Sequence, residues 1–482
     1  MRRTSVNVAL SRKNAWMLLP PAVRRAIGPL IARVPQERLL GHRFREARQF
    51  VQEAQWWPAE RARDYQLQRL RDLCARAFKH SAFYRRSFRD AGFHPGDLRS
   101  LADFSQLPLL EREDVRTHTD DLLTTSRLSP RLDAVSTGGT SGIPLHFFIG
   151  SDRSNVEYAY LTAGWERAGF NLQQQLAVFK GDVVPPDREG FRHDYDPLLR
   201  RHRYSTFHLS DADIERHLRH IAMIGPCHLL AYPSVITAIA RFVKRTGTVV
   251  PSNIRSVIAE SEIVYHEQRV LAESTLGCRF FSLYGLTEKV VAAAECEHSS
   301  DYHVWPTYGY FELLDESGQP VTEPGRRGEI VGTSFLNSVM PFIRYRTGDS
   351  AAYVSERCDS CKREHTLIRD IRGHRTQESL VAHDGSLIPW SALNMHDDTF
   401  LRVVRFQFVQ DTPGRSLLRV VPGEGFTAAD RERVLRNLKR KLDGRVELTI
   451  EMVKSLPLSA RGKAIYVDQR IETPQDPDAR IA

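Results

Sequence analysis

The chain has 482 residues, of which 41% are hydrophobic and 26% charged, a globular balance that excludes a largely disordered, collagen-like or mucin-like polymer. The formal net charge is +9, but Lys is scarce and Arg is spread along the whole chain, whereas a nucleic-acid footprint would be clustered, so no nucleic-acid partner is expected. Six cysteines (74, 227, 278, 296, 358 and 361) are too few for a disulfide framework, and no run approaches the ~20 apolar residues of a membrane helix, so a cytoplasmic protein with reduced thiols is expected.

The opening 35 residues are basic and interrupted by Pro20, Pro21 and Pro29. They lack the continuous apolar segment and small-residue cleavage site of a signal peptide, and read as a helix covering the main domain. The alternative is a peripheral contact with an anionic membrane surface through Arg24, Arg25 and Arg33. Residues 36–115 read as helices. Between Arg61 and Lys79 the residues Leu67, Leu70, Leu73, Cys74 and Phe78 recur at three-and-four spacing, one face of an amphipathic helix. From 130 to 350 short β-rich pieces (176–179, 256–260, 279–285, 329–335) alternate with helical stretches such as 211–223 and 234–246, a pattern of α/β layers around a largely parallel sheet. Gly318 and the Pro324-Gly325 pair punctuate hairpins between 308 and 335. Beyond about 375 the pattern restarts: two strands joined by Thr412-Pro413-Gly414, a helix over 427–442 with Thr427 as cap and Asp430 in its first turn, and a further strand in VELTIEMV. The expected organisation is a large N-terminal α/β domain, with a helical extension (1–115) and a core (116–375), plus a small mobile C-terminal α+β lid (376–470) and a polar tail (471–482).

Four motifs carry chemistry. Ser136-Thr137-Gly138-Gly139-Thr140-Ser141-Gly142 combines glycines, which let successive N–H groups approach an anion, with hydroxyl donors; it suits a phosphate cradle but lacks the GK[ST] ending of a Walker loop. Tyr284-Gly285-Leu286-Thr287-Glu288 follows an apolar strand, where α/β sheets place ligand-binding groups; Tyr suits a base, Thr a phosphate and Glu a metal ion. Asp349, ending Tyr345-Arg346-Thr347-Gly348-Asp349, suits ribose hydroxyls. Lys463 stands on a Gly-bearing stretch near the C-terminus. Singly, each also reads as an ordinary strand end, turn or loop.

In this order the four resemble the core motifs of the adenylate-forming superfamily, and HSAFYRRSF, AYPSVITAIAR (231–241) and IAESEIVYHEQR (258–269) resemble its phenylacetate–CoA ligase branch, with CapK and coenzyme F390 synthetase. The resemblance covers about residues 60–470. It implies that Thr137, Gly138, Gly139, Thr140, Ser141 and Gly142 cradle the ATP phosphates and that Ser261 and Glu262 line the adenine side. Tyr284 and Gly285 would lie against adenine, Thr287 near the phosphates and Glu288 on Mg²⁺. Asp349 would hold the ribose, Arg375 the interdomain joint, and Lys463 the reacting phosphate, with 231–241 forming a wall of the acid pocket. Two positions depart from the pattern: Ile143 replaces the usual Lys after the phosphate loop, so an Arg would have to meet pyrophosphate, and Gln377-Glu378 occupy the hinge region.

Cys358-Asp-Ser-Cys361, with Cys296 upstream, has a spacing suited to tetrahedral zinc, and either His298 or His303 would complete the set. The resemblance favours His303. The competing reading is an idle CxxC on a surface hairpin. His193, His202, His208, His217, His220 and His228 read as surface or packed residues without a role. The sequence thus leads to an ATP- and Mg²⁺-dependent ligase that adenylates a small carboxylic acid and transfers it to coenzyme A, acting as monomer or homodimer, with a structural zinc. Its alternatives are adenylation with a non-CoA acceptor and a non-catalytic nucleotide-binding protein of capsular polysaccharide biosynthesis.

Overall fold

The computed structural model describes residues 21–137, 145–151, 153–373, 378–393, 395, 398–400, 402–456 and 466–471. Gly138 to Gly142, Arg375 and Lys463 therefore lie outside the described residues, as do the side chains of Arg24 and Arg25. No described helix is long and apolar enough to cross a membrane.

The helix Ala59–His80 buries Leu70, Leu73, Cys74 and Ala77, and leaves Leu67 and Phe78 half-buried on its flank. This stripe packs with the capped helix Ala82–Asp90, through Tyr84 and Phe88, against the antiparallel half of the main sheet.

The strands are β1 (Leu132–Ser136), β2 (His146–Gly150), β3 (Gln175–Phe179), β4 (His193–Asp196), β5 (Arg201–Tyr204), β6 (Cys227–Ala231), β7 (Ile254–Ala259), β8 (Phe280–Gly285), β9 (Ala292–Glu295), β10 (Tyr302–Val304), β11 (Gly309–Leu314), β12 (Arg327–Ser334), β13 (Tyr345–Ser355) and β14 (Leu367–Arg372). β1 and β2 form a hairpin, and the other twelve form one sheet in the order β11-β12-β13-β14-β10-β9-β8-β7-β6-β3-β5-β4. The expectation of a largely parallel sheet needs correction: only β5-β3-β6-β7-β8 are parallel. The cause is connection length. The helices Pro233–Thr246 and His266–Leu276 are crossovers long enough to return the chain in the same direction. After β8 the connections shorten to loops such as 286–291 and 296–301, which only antiparallel neighbours can use.

Toward the C-terminus β15 (Ser379–Val381) pairs with β16 (Leu387–Pro389), and β17 (Val403–Thr412), β18 (Arg415–Pro422), β19 (Glu447–Met452) and β20 (Val467–Gln469) form a sheet in the order β19-β18-β17-β20. Gly414 closes the β17–β18 turn at φ +76, and a Cβ there would meet the His383 ring at 2.0 Å, so both conformation and space demand glycine. Thr427 and Asp430 form a reciprocal capping box on the helix Ala428–Leu442. That helix contributes Val434, Leu438 and Leu442 to an apolar cluster shared with Tyr204, Ile214 and Leu218, so the C-terminal sheet docks directly on the parallel half of the main sheet.

Candidate active site

A cleft of about 560 Å³ opens where β7 and β8 end. Thr137, Ser261, Glu262, Tyr284, Gly285, Glu288 and Asp349 all line it, although they come from segments far apart in the chain. Thr287 instead lines a smaller adjoining pocket of about 290 Å³. A cleft of this size at strand ends suits a nucleotide-sized ligand.

Each wall has a local cause. Thr137 is held in place because its N–H donates to Leu145 O at 2.9 Å and its Oγ1 accepts from Leu145 N at 3.1 Å. Ser261, two residues past the end of β7, adopts φ +73, a left-handed conformation uncommon outside glycine, and strain of this kind gathers at ligand sites. Glu262 accepts from the N–H (2.9 Å) and Oγ (3.0 Å) of Ser234 and from Ser391 Oγ. Its carboxylate therefore caps the helix Pro233–Thr246 and ties it to the C-terminal part of the chain. Tyr284 Oη donates to Asp349 Oδ2 at 2.9 Å. Burial first, and the Asp349 charge second, raise the Tyr284 hydroxyl well above the ordinary phenol range, so it stays a donor.

Two contributors have no role assigned from the sequence, although Tyr345 opens the motif that ends at Asp349. Arg112, in the helix Arg112–Thr117, donates to Thr137 Oγ1 at 3.1 Å and lies 4.0 Å from Glu288 Oε1. Tyr345, buried, donates to the same Glu288 oxygen at 3.3 Å. Arg112 reads in sequence as one of many helix-surface arginines; only folding brings it beside Thr137 and Glu288. The smaller pocket holds two ion pairs, Lys180–Glu260 at 2.6 Å and Lys289–Glu157, beside Tyr160, Trp305 and Tyr308.

Cys296, His303, Cys358 and Cys361 converge, with one ligand atom from each within 4.8 Å of the others. Cys296 Sγ and Cys358 Sγ are 3.8 Å apart, and Cys361 Sγ lies 3.5 Å from His303 Nε2. A tetrahedral ion with Zn–S ~2.3 Å and Zn–N ~2.05 Å has S···S edges of ~3.8 Å and S···N edges of ~3.6 Å, so these two edges have the spacing of zinc ligands and the donor set suits that ion. His298 stands outside the group, and its N–H donates to Cys296 Sγ at 3.4 Å. Lys362, at φ +68, turns the chain so that its N–H reaches Cys358 O at 2.9 Å, which folds both CxxC thiols inward. The cluster anchors the connection from β9 to β10, whose Ser299, Ser300 and Asp301 line the large cleft. A second group, His193, His202 and His220, also meets at ligand distance. Burial and mutual repulsion hold His193 down to about 3 and His202 to about 4, so both are neutral near pH 7.

A family model described as the CapK C-terminal domain matches residues 380–470. The chain is 26% identical over 345 residues to a phenylacetate–coenzyme A ligase of Thermus thermophilus, covering 69% of this chain and 74% of that protein. It is 21% identical over 420 residues to protein CapK of Staphylococcus aureus, covering 85% and 89%. The chain is thus similar to phenylacetate–coenzyme A ligases and to CapK. Its fold is shared with 2-hydroxyisobutyryl-CoA ligase, solved with 2-HIB-AMP and CoA in the thioesterification state, at TM-score 0.53 and 20% identity over 87% of this chain and 93% of that one. The same enzyme in its postadenylation state gives TM-score 0.53 over 86% and 91% at 20% identity.

Proposed function

We propose that this chain activates a small carboxylic acid with ATP and transfers the acyl group to coenzyme A. The observation that carries the reading is the single cleft shared by Thr137, Ser261, Tyr284, Glu288 and Asp349, which a nucleotide would span from phosphates to base and ribose. The similar phenylacetate–coenzyme A ligases support it, since their name describes an acid–CoA ligation.

In the first half-reaction an acid oxygen attacks the α-phosphorus, and the bond to the bridging oxygen breaks with its electron pair leaving on pyrophosphate. Anion approaches anion, so fixed positive charge lowers the barrier. Arg112 brings a guanidinium beside Thr137, in the role left vacant by Ile143. Lys463 and Arg375, outside the described residues, are proposed as further cations on the nucleotide. Thr287 is proposed to act near the phosphates, with Gly138 to Gly142 completing their cradle. Asp349, oriented by Tyr284, accepts from ribose hydroxyls. Magnesium, when bound, would neutralise charge on the phosphates, and the buried Glu288 carboxylate suits an ion that takes one or two carboxylates plus substrate phosphates. In the second half-reaction the coenzyme A sulfur attacks the acyl carbon and AMP departs. The acid is proposed to occupy the smaller pocket, which, against the expectation for residues 231–241, none of them lines. The core 116–375 and lid 376–470 are proposed as the two working domains, Cys296, His303, Cys358 and Cys361 as a structural zinc site, and the cytoplasm as the setting that keeps those thiols reduced.

The test is acid-dependent exchange of labelled pyrophosphate into ATP over a panel of aryl and small hydroxy acids. The proposal expects exchange with at least one acid, and loss of it in Glu288→Ala and Lys463→Ala. ATP binding without exchange across the panel would favour the non-catalytic reading, and exchange without acyl–CoA formation would point to another acceptor.

A further inference from the structure

Far from the cleft, β4 and β5 form the outer edge of the main sheet. Their antiparallel register sets His193 opposite Tyr204 and Tyr195 opposite His202, so all four side chains share one face. The helix Asp211–Ile221 crosses that face and adds His220 from its last turn. His193 Nε2 and His202 Nδ1 stand 3.0 Å apart, and the His193 and His220 ring centroids are separated by 4.1 Å. One nitrogen from each of the three rings lies within 4.8 Å of the other two.

We propose that His193, His202 and His220 form a second metal site, for a divalent transition ion of the zinc, cobalt or nickel class. Ring nitrogens about 2.0–2.1 Å from one ion lie roughly 2.9–3.4 Å from each other, so the His193–His202 pair already has the spacing of two ligands. His220 is oriented for the third place. Its Nδ1 lies 2.8 Å from Tyr204 Oη, and donation of Nδ1–H to that oxygen leaves the Nε2 lone pair for the ion, the outer-shell contact that metal-bound imidazoles use to fix their tautomer. Metal entry replaces the His193–His202 hydrogen bond; the shared proton moves to the other nitrogen of its own ring, and each imidazole coordinates as a neutral ligand. All three histidines are half-buried, and water would complete the coordination. The donor set has no thiolate, which separates it chemically from the cysteine cluster. Binding would clip the outermost hairpin of the sheet to the helix that covers it, and an edge strand is where such a staple has most to hold.

The test is titration of the chelator-treated, reduced full-length chain with Co²⁺. Three-nitrogen coordination gives visible ligand-field bands without the intense near-ultraviolet sulfur-to-cobalt transition that the cysteine cluster would produce. The proposal expects both signatures in the native sequence, and loss of the nitrogen-only component alone in His193→Asn/His202→Asn. Proton NMR of the cobalt form of the unaltered chain is the second measurement, needing no variant: the site requires strongly shifted exchangeable imidazole resonances from three rings beyond the single one owed to His303. Only sulfur-type bands at about tenfold metal excess, or shifted resonances from no ring beyond His303, would overturn the proposal.

Discussion

Replacing Arg112 with alanine removes a guanidinium held between Thr137 and the buried Glu288. The Arg112–Glu288 separation is 4.0 Å, which corresponds to about 4 kcal/mol of Coulomb attraction at an effective dielectric near 20. The Arg112 side chain keeps 27% exposure, so solvent screens part of that and the net loss is smaller. The larger effect falls on catalysis. If Arg112 meets charge that develops on the departing pyrophosphate, its removal acts like the loss of one preorganised electrostatic donor, ~10²–10³ in rate. Partial exposure places the expectation at the lower end, about a hundredfold in kcat for acid-dependent pyrophosphate exchange, with a smaller rise in the KM for ATP. Arg112→Lys keeps the charge but loses the second N–H of the fork, and should recover about tenfold of that loss. Unchanged near-ultraviolet circular dichroism would confirm that the variant is folded. Exchange within about threefold of wild type, at unchanged KM for ATP, would refute the assignment.

Tyr284→Phe removes only the hydroxyl that donates to Asp349, a net cost of about 1 kcal/mol, and should raise the KM for ATP about fivefold while leaving the melting temperature in place. Zinc analysis should find one tightly held ion per chain that Cys358→Ser abolishes; since the cluster anchors the cleft loop carrying Ser299 to Asp301, chelation should weaken ATP binding as well as lower the melting temperature. Asp430 supplies the pH dependence. Burial raises its carboxyl, but hydrogen bonds from Thr427, Arg402 and Arg433 outweigh that and hold it well below the carboxylate range. A carboxyl depressed in the folded state contributes stability that is complete above its unfolded value of about 3.9 and is lost as pH falls below it. Melting curves between pH 5 and pH 3 should therefore fall more steeply for wild type than for Asp430→Asn, and parallel curves would contradict the assignment.

The legible parts of the molecule were those governed by local rules. Period and capping located the helices at Ala59–His80 and Ala428–Leu442, and the turn chemistry of Pro413-Gly414 located the β17–β18 hairpin. Strand direction was not legible, because parallel and antiparallel strands share one side-chain alternation and differ in what connects them. The motif residues that share the cleft were legible as candidates, because hydroxyls, glycines and carboxylates at strand ends and turns serve ligands. Arg112 and Tyr345 escaped because their roles arise from contacts across the fold. The three histidines escaped for the same reason: their irregular spacing of nine and eighteen residues, from 193 to 202 to 220, matches no metal-binding pattern until a strand pair and a helix bring them together.

The central claim is that an acid oxygen attacks the α-phosphorus of ATP in the cleft between Thr137 and Asp349. An accepted acid labelled with ¹⁸O in its carboxylate, incubated with the native chain, ATP, magnesium and coenzyme A, reports this directly by mass spectrometry of the nucleotide product. The account requires AMP carrying one labelled oxygen, formed together with the acyl thioester and unlabelled pyrophosphate. ADP with labelled inorganic phosphate, or unlabelled AMP, would contradict it.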